Sequence, residues 1–139
     1  MIRKARMGDL VPLKEIIGEA WRTYFERFPV NDLKLTRAVH QFMSDKRRAM
    51  FVSEVNGEIV GVIAGEVSPM MVSDEKAAEE YIFFCKSGEG RELLKAYVEW
   101  AKDQGATLIN VCVSSGDKRS GRLIESAGFR CAGGNYYHE

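Results

Sequence analysis

The chain has 139 residues, 45% apolar and 29% charged, with 20 Lys and Arg set against 20 Asp and Glu for a formal net charge of +0. That length supports one domain with a single core in an ordinary soluble globular balance, and the zero net charge argues against broad electrostatic binding to nucleic acid. No apolar run approaches membrane-spanning length, and the opening Met-Ile-Arg-Lys-Ala-Arg lacks the apolar core of a signal peptide.

Three cysteines, Cys85, Cys112 and Cys131, form no CxxC pair and cannot close a disulfide framework; His40 and His138 stand near none of them. No metal site, no membrane partner and a reduced, cytoplasmic setting are the expectations.

Residues 2–6 read as a short edge strand. Asp9 is placed to cap a helix whose Leu10, Leu13, Ile16, Ile17, Ala20, Trp21 and Tyr24 recur with helical period, Pro12 falling harmlessly in its first turn. Phe28-Pro29-Val30-Asn31 breaks the pattern, and a weaker helix carrying Leu35, Val39, Phe42 and Met43 starts near Asp32. Met50–Val55 and Glu58–Val67 are strand-like runs joined by Asn56-Gly57, a strong hairpin signal. Ser68–Lys76 reads as a polar loop and Ala77–Cys85 as a strand. A helix from about Gly90 to Gln104 carries a wide apolar face (Leu93, Leu94, Tyr97, Val98, Trp100, Ala101) and stops at Gly105. Leu108–Val113 is nearly continuous apolar chain, as in a strand covered on both faces, which would put Cys112 in the core. A last helix spans about Asp117–Ala127, capped by Gly128-Phe129, and residues from Arg130 onward, with Tyr136 and Tyr137, form a closing strand. With no internal repeat or linker, residues 1–139 make a single domain: a mixed α/β sheet with an antiparallel start, a parallel strand–helix–strand unit at 77–113, and helices on both faces.

The junction at 81–94 carries the chemistry. An apolar run ends in Lys86-Ser87-Gly88-Glu89-Gly90 and opens into a helix, which aims unpaired backbone N–H groups and the positive end of a helix dipole at one point beyond the strand. A phosphate or pyrophosphate suits such a point. A Walker A loop needs Gly-Lys-Ser/Thr before the helix, and none follows Gly88 or Gly90; the dinucleotide fingerprint needs a third glycine where Leu93 stands.

In these residues the chain resembles the GCN5-related N-acetyltransferase (GNAT) superfamily, whose Arg/Gln-x-x-Gly-x-Gly/Ala loop grips the pyrophosphate of acetyl-CoA. Here the loop is Cys85-Lys86-Ser87-Gly88-Glu89-Gly90, with both glycines present and Cys85 in the first position. A second family element, Asn-x-x-Ala-x-x-x-Tyr-x-x-x-Gly-Phe, meets Asp117, Ser120, Ile124, Gly128 and Phe129, of which only Gly-Phe is identical. The resemblance covers essentially the whole chain and implies a mostly antiparallel twisted sheet of six to seven strands with a central parallel unit.

It further implies an acetyl-CoA-dependent N-acetyltransferase acting on a small-molecule or peptide primary amine by direct attack. The pyrophosphate would sit on the amides of Ser87, Gly88, Glu89, Gly90 and Arg91, with Lys86 or Arg91 adding a charged contact and Asp117 and Ser120 flanking the cofactor. The pantetheine arm would pair with the backbone of Phe83, Phe84 and Cys85, where one amide could polarise the thioester carbonyl. Glu80, Glu79 or Glu66 would accept the amine proton, and only one of Glu79 and Glu80 can face the cleft. Ile124 replaces the usual Tyr proton donor, for which Tyr136, Tyr137 or a water could substitute. That replacement motivates the alternative of an acyl-CoA-binding protein with little catalysis; a turn that is only a turn would leave an interaction module.

Plainer readings stand beside these. Cys85 is a small packed residue more readily than a reactive thiolate, and Asp117 is most simply an N-cap. Lys118, Arg119 and Arg122 could meet a 3′-phosphate or simply face solvent, and Met70 and Met71 could line an acceptor pocket. Glu66, Asp74, Glu75 and Glu79 would suit a cationic amine, and the Tyr-rich closing strand is a surface through which a homodimer could form.

Overall fold

A computed structural model describes residues 1–113, 118–134, 136 and 138. Among them a five-stranded sheet runs in the order β1 (Ile2–Lys4), β2 (Arg48–Val55), β3 (Glu58–Pro69), β4 (Lys76–Cys85), β5 (Ala106–Asn110). Neighbours are antiparallel except β4 and β5, which are parallel. The helices are α1 (Leu10–Tyr24), α2 (Asp32–Ser44), α3 (Gly90–Asp103) and α4 (Lys118–Ser126). None of the described helices is long and apolar enough to cross a membrane.

The Asn56-Gly57 turn is the tight hairpin read from the sequence: both residues have positive φ, 52° and 79°, and Val55 pairs with Glu58 across it. Gly105 stops α3 with φ of 90°. Alternation along the strands splits the core in two. On one face Ala49, Phe51, Ile63, Val67 and Ala78 meet Leu93, Leu94, Tyr97 and Trp100 of α3. On the other, Met50, Val52, Val62 and Ala64 meet Leu13, Ile16 and Val39 of α1 and α2. Leu13, Leu93, Leu94 and Tyr97 are 0% exposed, and burial of each such side chain contributes about 1.5–3 kcal/mol.

Several sequence expectations are corrected. Asp9 stands at the N-cap of α1 but its side chain does not cap the helix: the carboxylate turns back, accepting Arg6 N–H (2.7 Å) and both Arg3 Nη atoms (2.7 and 2.9 Å). The opening strand ends at Lys4, and the presumed loop 68–76 loses its ends to β3 and β4. β5 ends at Asn110 although apolar residues continue to Val113, so Cys112 is exposed rather than core. The expected closing strand does not add to the five: residues 130–134, 136 and 138 carry no strand, and 135, 137 and 139 lie outside the described residues.

Two irregularities of the sheet around β4 bear on the site. Ala64 pairs with Ile82 but Gly65 pairs with Glu80, leaving Tyr81 as an extra residue in β4. This bulge puts Glu80 and Phe83 on the α3 face and Ile82 and Phe84 on the α1 face. A Cβ at Gly65 would lie 2.4 Å from Tyr97 Cε2 and 2.7 Å from the Glu79 carbonyl oxygen, so glycine is required there. The second irregularity is a fork: β4 and β5 pair only from Lys76↔Ala106 to Glu79↔Asn110, then part.

Candidate active site

Beyond the fork, β4 is paired with β3 on one side only. Lys86 N–H donates to the Val60 carbonyl (2.7 Å). Counting back by twos along the antiparallel ladder, Phe84 and Ile82 also turn their main-chain groups to β3, and Phe83 and Cys85 turn theirs to the open edge. That edge forms the floor of a cleft of about 440 Å³. The C-terminal turns of α1 (Trp21, Tyr24, Phe25) form one wall, and Ser87, Gly90, Ser120, Leu123 and Ile124 form the other.

Glu80 stands at the apex of the fork. Its carboxylate accepts the Cys112 N–H at 3.1 Å across the gap, Glu80 lying one residue past the last paired residue of β4 and Cys112 two past that of β5. Burial raises its pKa to about 7; the Cys112 hydrogen bond pulls the other way and neighbouring Glu79 adds to the rise. Glu79 faces the opposite side, opposite Glu66, where it is exposed and accepts Asn110 Nδ2 at 2.8 Å. Glu66 itself is held by Arg48 at 2.8 Å. Behind Glu80, Tyr97 is fully buried and donates to the Asn110 carbonyl at 3.4 Å. Burial, with Glu80 and Glu79, pushes its phenol up.

The loop from Cys85 to Gly90 is held from beneath. Ser53 of β2, 0% exposed, donates its hydroxyl to the Glu89 carboxylate, which also takes the N-terminal ammonium at 3.1 Å. These partners hold the Glu89 acid below the usual carboxylate range and point it away from the cleft, whose lining does not include it. Ser87 Oγ lies 3.3 Å from both Ser53 Oγ and Cys85 Sγ and accepts the Glu89 N–H at 3.2 Å. Of the amides expected around a phosphate, that of Glu89 therefore has an internal partner. Those of Gly90, Arg91 and Glu92 open α3 and have no acceptor within the helix. Gly90 is buried under Leu123, 3.2 Å from where its Cβ would be, whereas Gly88 is exposed and a Cβ there meets nothing within 4 Å.

Other expected residues fall elsewhere. Lys86 reaches α1, pairing with Glu19 at 2.9 Å, and Arg91 donates to the Ser126 carbonyl at the end of α4 (3.2 Å). Neither cation is turned into the loop. Tyr136 is 99% exposed and outside the cleft lining, Met71 is 95% exposed, and Arg119 and Arg122 are exposed. Ile124, 7% exposed, lines the cleft where a Tyr donor was sought. Asp117 and Tyr137 lie outside the described residues.

Sequence reasoning missed the Cys112 amide, Ser53 and the α1 aromatics. The first two act through contacts distant in sequence that no local pattern announces. Trp21 and Tyr24 were visible only as members of a helical stripe.

Comparison with known proteins fits this geometry. Residues 13–129 match the acetyltransferase (GNAT) family. No protein of curated function matches. The fold is shared with a transcriptional regulator from Bacillus halodurans C-125, at 22% identity over 100% of this chain and 98% of that one, TM-score 0.80. It is shared too with AAC(6')-Iy in complex with a bisubstrate analog, CoA-S-monomethyl-acetylneamine (14%, 100% and 96%, TM-score 0.81). A third similar structure is the aminoglycoside acetyltransferase meta-AAC0020 from an uncultured soil metagenomic sample (18%, 100% and 95%, TM-score 0.77). Identities this low speak for the fold alone; the family match spans most of the chain, forked sheet and glycine loop included, and this protein belongs to the GNAT acetyltransferase family.

Proposed function

We propose that the chain transfers an acetyl group from acetyl-CoA to a primary amine by direct attack. The observation that carries this reading is the fork: one cleft joins an unpaired strand edge, a helix N-terminus beside glycines, and a carboxyl group whose pKa lies near neutrality. The residues present fit the donor. Phe83 and Cys85 offer main-chain groups to a pantetheine amide, as an added strand would use them. Gly88 leaves open space for a phosphate, and the first-turn amides of α3 supply donors. Ser120 lines the same wall, and Asp117 keeps its place in the proposal through its motif position alone.

Acetyl-CoA supplies the acyl group as a thioester. The protein's part is to bind, orient and move a proton. An amine is protonated near pH 7 and must become neutral to attack. Glu80 is the base on this reading, because a carboxylate with a pKa of about 7 accepts a proton far better than an exposed one. Glu79, held by Asn110 on the other face, shapes the local charge. Ile124 has no proton to give and Tyr136 lies outside the cleft lining, so the departing sulfur takes its proton from solvent or from a phenol that does line the cleft, Tyr24 or Tyr81.

A second reading, acyl-CoA binding with little catalysis, is favoured by Ile124. Release of free thiol from acetyl-CoA across a broad panel of amines tests the first. Saturable CoA binding with no thiol release selects the second, and no binding at millimolar CoA removes both.

A further inference from the structure

The two walls of the cleft differ in kind. The wall beside the phosphate loop is small and mixed. The wall on the α1 side is aromatic: Trp21, Tyr24 and Phe25, continued along the floor by Tyr81 and Phe84. Trp21 and Phe25 lie with ring centroids 4.6 Å apart, tilted by 37°, and Tyr24 meets Phe84 edge-on at 6.2 Å. Much of this surface is open, with Trp21 40%, Phe25 39% and Tyr81 63% exposed. The indole N–H of Trp21 donates to the Phe28 carbonyl at 2.7 Å, so its polar edge is used inside the protein and its apolar surface is what remains for a ligand. Glu80 is the sole charged side chain among the described lining residues. The bulge at Tyr81 separates the walls, because it turns Phe84 and Ile82 toward α1 and Phe83 and Cys85 toward the loop.

From this asymmetry we infer that the acceptor is a primary amine carried on an aromatic or other flat apolar group, of about the size of an arylalkylamine. The inference rests on the acetyl-transfer reading and adds the acceptor's class. One carboxylate matches one ammonium. The adjoining rings offer an apolar carrier a surface it can cover, and give its cationic end a π face on the way to Glu80. A polyhydroxylated polyamine would find one charged partner and few polar ones on this wall, and would leave most of its own polar groups unpaired.

The test compares 2-phenylethylamine and tryptamine with butylamine, spermidine and an aminoglycoside, using acetyl-CoA and thiol release in wild type and Trp21→Ala. Calorimetry of 2-phenylethylamine on the CoA-loaded protein is run alongside. The side chain of Trp21 is substantially exposed, so the variant's thermal midpoint is expected to stay within a few degrees of wild type. The expected result is a KM for the aromatic amines about tenfold or more below that for butylamine, raised about tenfold by Trp21→Ala with kcat little changed.

Equal or better kcat/KM on spermidine or the aminoglycoside overturns the inference and leaves acetyl transfer standing. So does a preference for longer acyl-CoA donors that Trp21→Ala abolishes, since the wall would then hold the acyl chain. Saturable 2-phenylethylamine binding that Trp21→Ala weakens, with no thiol release from any amine, upholds the wall and overturns catalysis. Absence of both binding and turnover overturns the two together.

Discussion

The two halves of β4 lie in one continuous strand and differ in what they pair with. From Lys76 to Glu79 the strand is paired on both sides, with β3 and β5, and its backbone is spent on the sheet. From Glu80 to Cys85 it is paired with β3 alone, and its other edge faces the cleft. Glu79 and Glu80 are adjacent, yet one is an exposed carboxylate bonded to Asn110 and the other a half-buried acid with a pKa of about 7. A function can thus be made by withdrawing a neighbouring strand: the released edge supplies hydrogen-bonding groups, and the apex of the gap supplies a partly desolvated site.

A pair of substitutions should separate the two halves most strongly. Glu80→Gln is expected to lower kcat/KM for acetyl transfer about a hundredfold or more, the usual contribution of a positioned base, while Glu79→Gln leaves it nearly unchanged. In wild type, kcat/KM should rise with pH through about 7 as Glu80 ionises, and Glu80→Gln should remove that limb. Stability responds to pH in the opposite sense. The folded-state pKa is above the ordinary carboxyl value of 4.5, so the contribution of Glu80 is full below that value and is lost as pH rises through about 7. Glu80→Gln should therefore raise the thermal midpoint more at pH 8 than at pH 5.

The bulge is tested next. Gly65→Ala places a methyl against Tyr97 and the Glu79 carbonyl, and is expected to cost about 1–3 kcal/mol of stability in a urea titration, the usual range for overpacking. If stability is unchanged, the bulge is not braced as described. The smallest expected effect is Ser53→Ala. Loss of the hydroxyl beneath Glu89 should weaken CoA binding by about 1 kcal/mol, measured calorimetrically, because Ser53 only steadies the loop.

Much of the fold was legible because its signals are local. Asn56-Gly57 demands positive φ, the stripe from Leu93 to Trp100 has helical period, and Gly105 stops α3. The loop was legible too, since glycines between a strand and a helix say where backbone must be approached. The bulge was hidden at Tyr81, where two adjacent glutamates meet an apolar run and period two cannot be followed. Its one sequence signal was Gly65, an isolated glycine in a strand. Cys112 was misplaced for a related reason: apolar residues persist past Asn110 after the pairing that would bury them has ended. Ser53 and Glu89 are 36 residues apart, and only the registers of β2 against β3 and of β3 against β4 bring them together.

Whether the open half of β4 and the glycine loop hold CoA is best decided at Gly88. Its position is exposed, its Cβ would meet nothing within 4 Å, and its φ is not positive, so the fold itself does not require glycine there. Calorimetric titration of CoA into wild type and Gly88→Asp, with thermal midpoints recorded for both, should give saturable binding to wild type. The variant should lose about a hundredfold or more in affinity at an unchanged midpoint, since a carboxylate placed against a phosphate both fills the space and repels the charge. Undiminished affinity in Gly88→Asp, or no binding of CoA to wild type at millimolar concentration, would refute the assignment of this edge and loop to CoA.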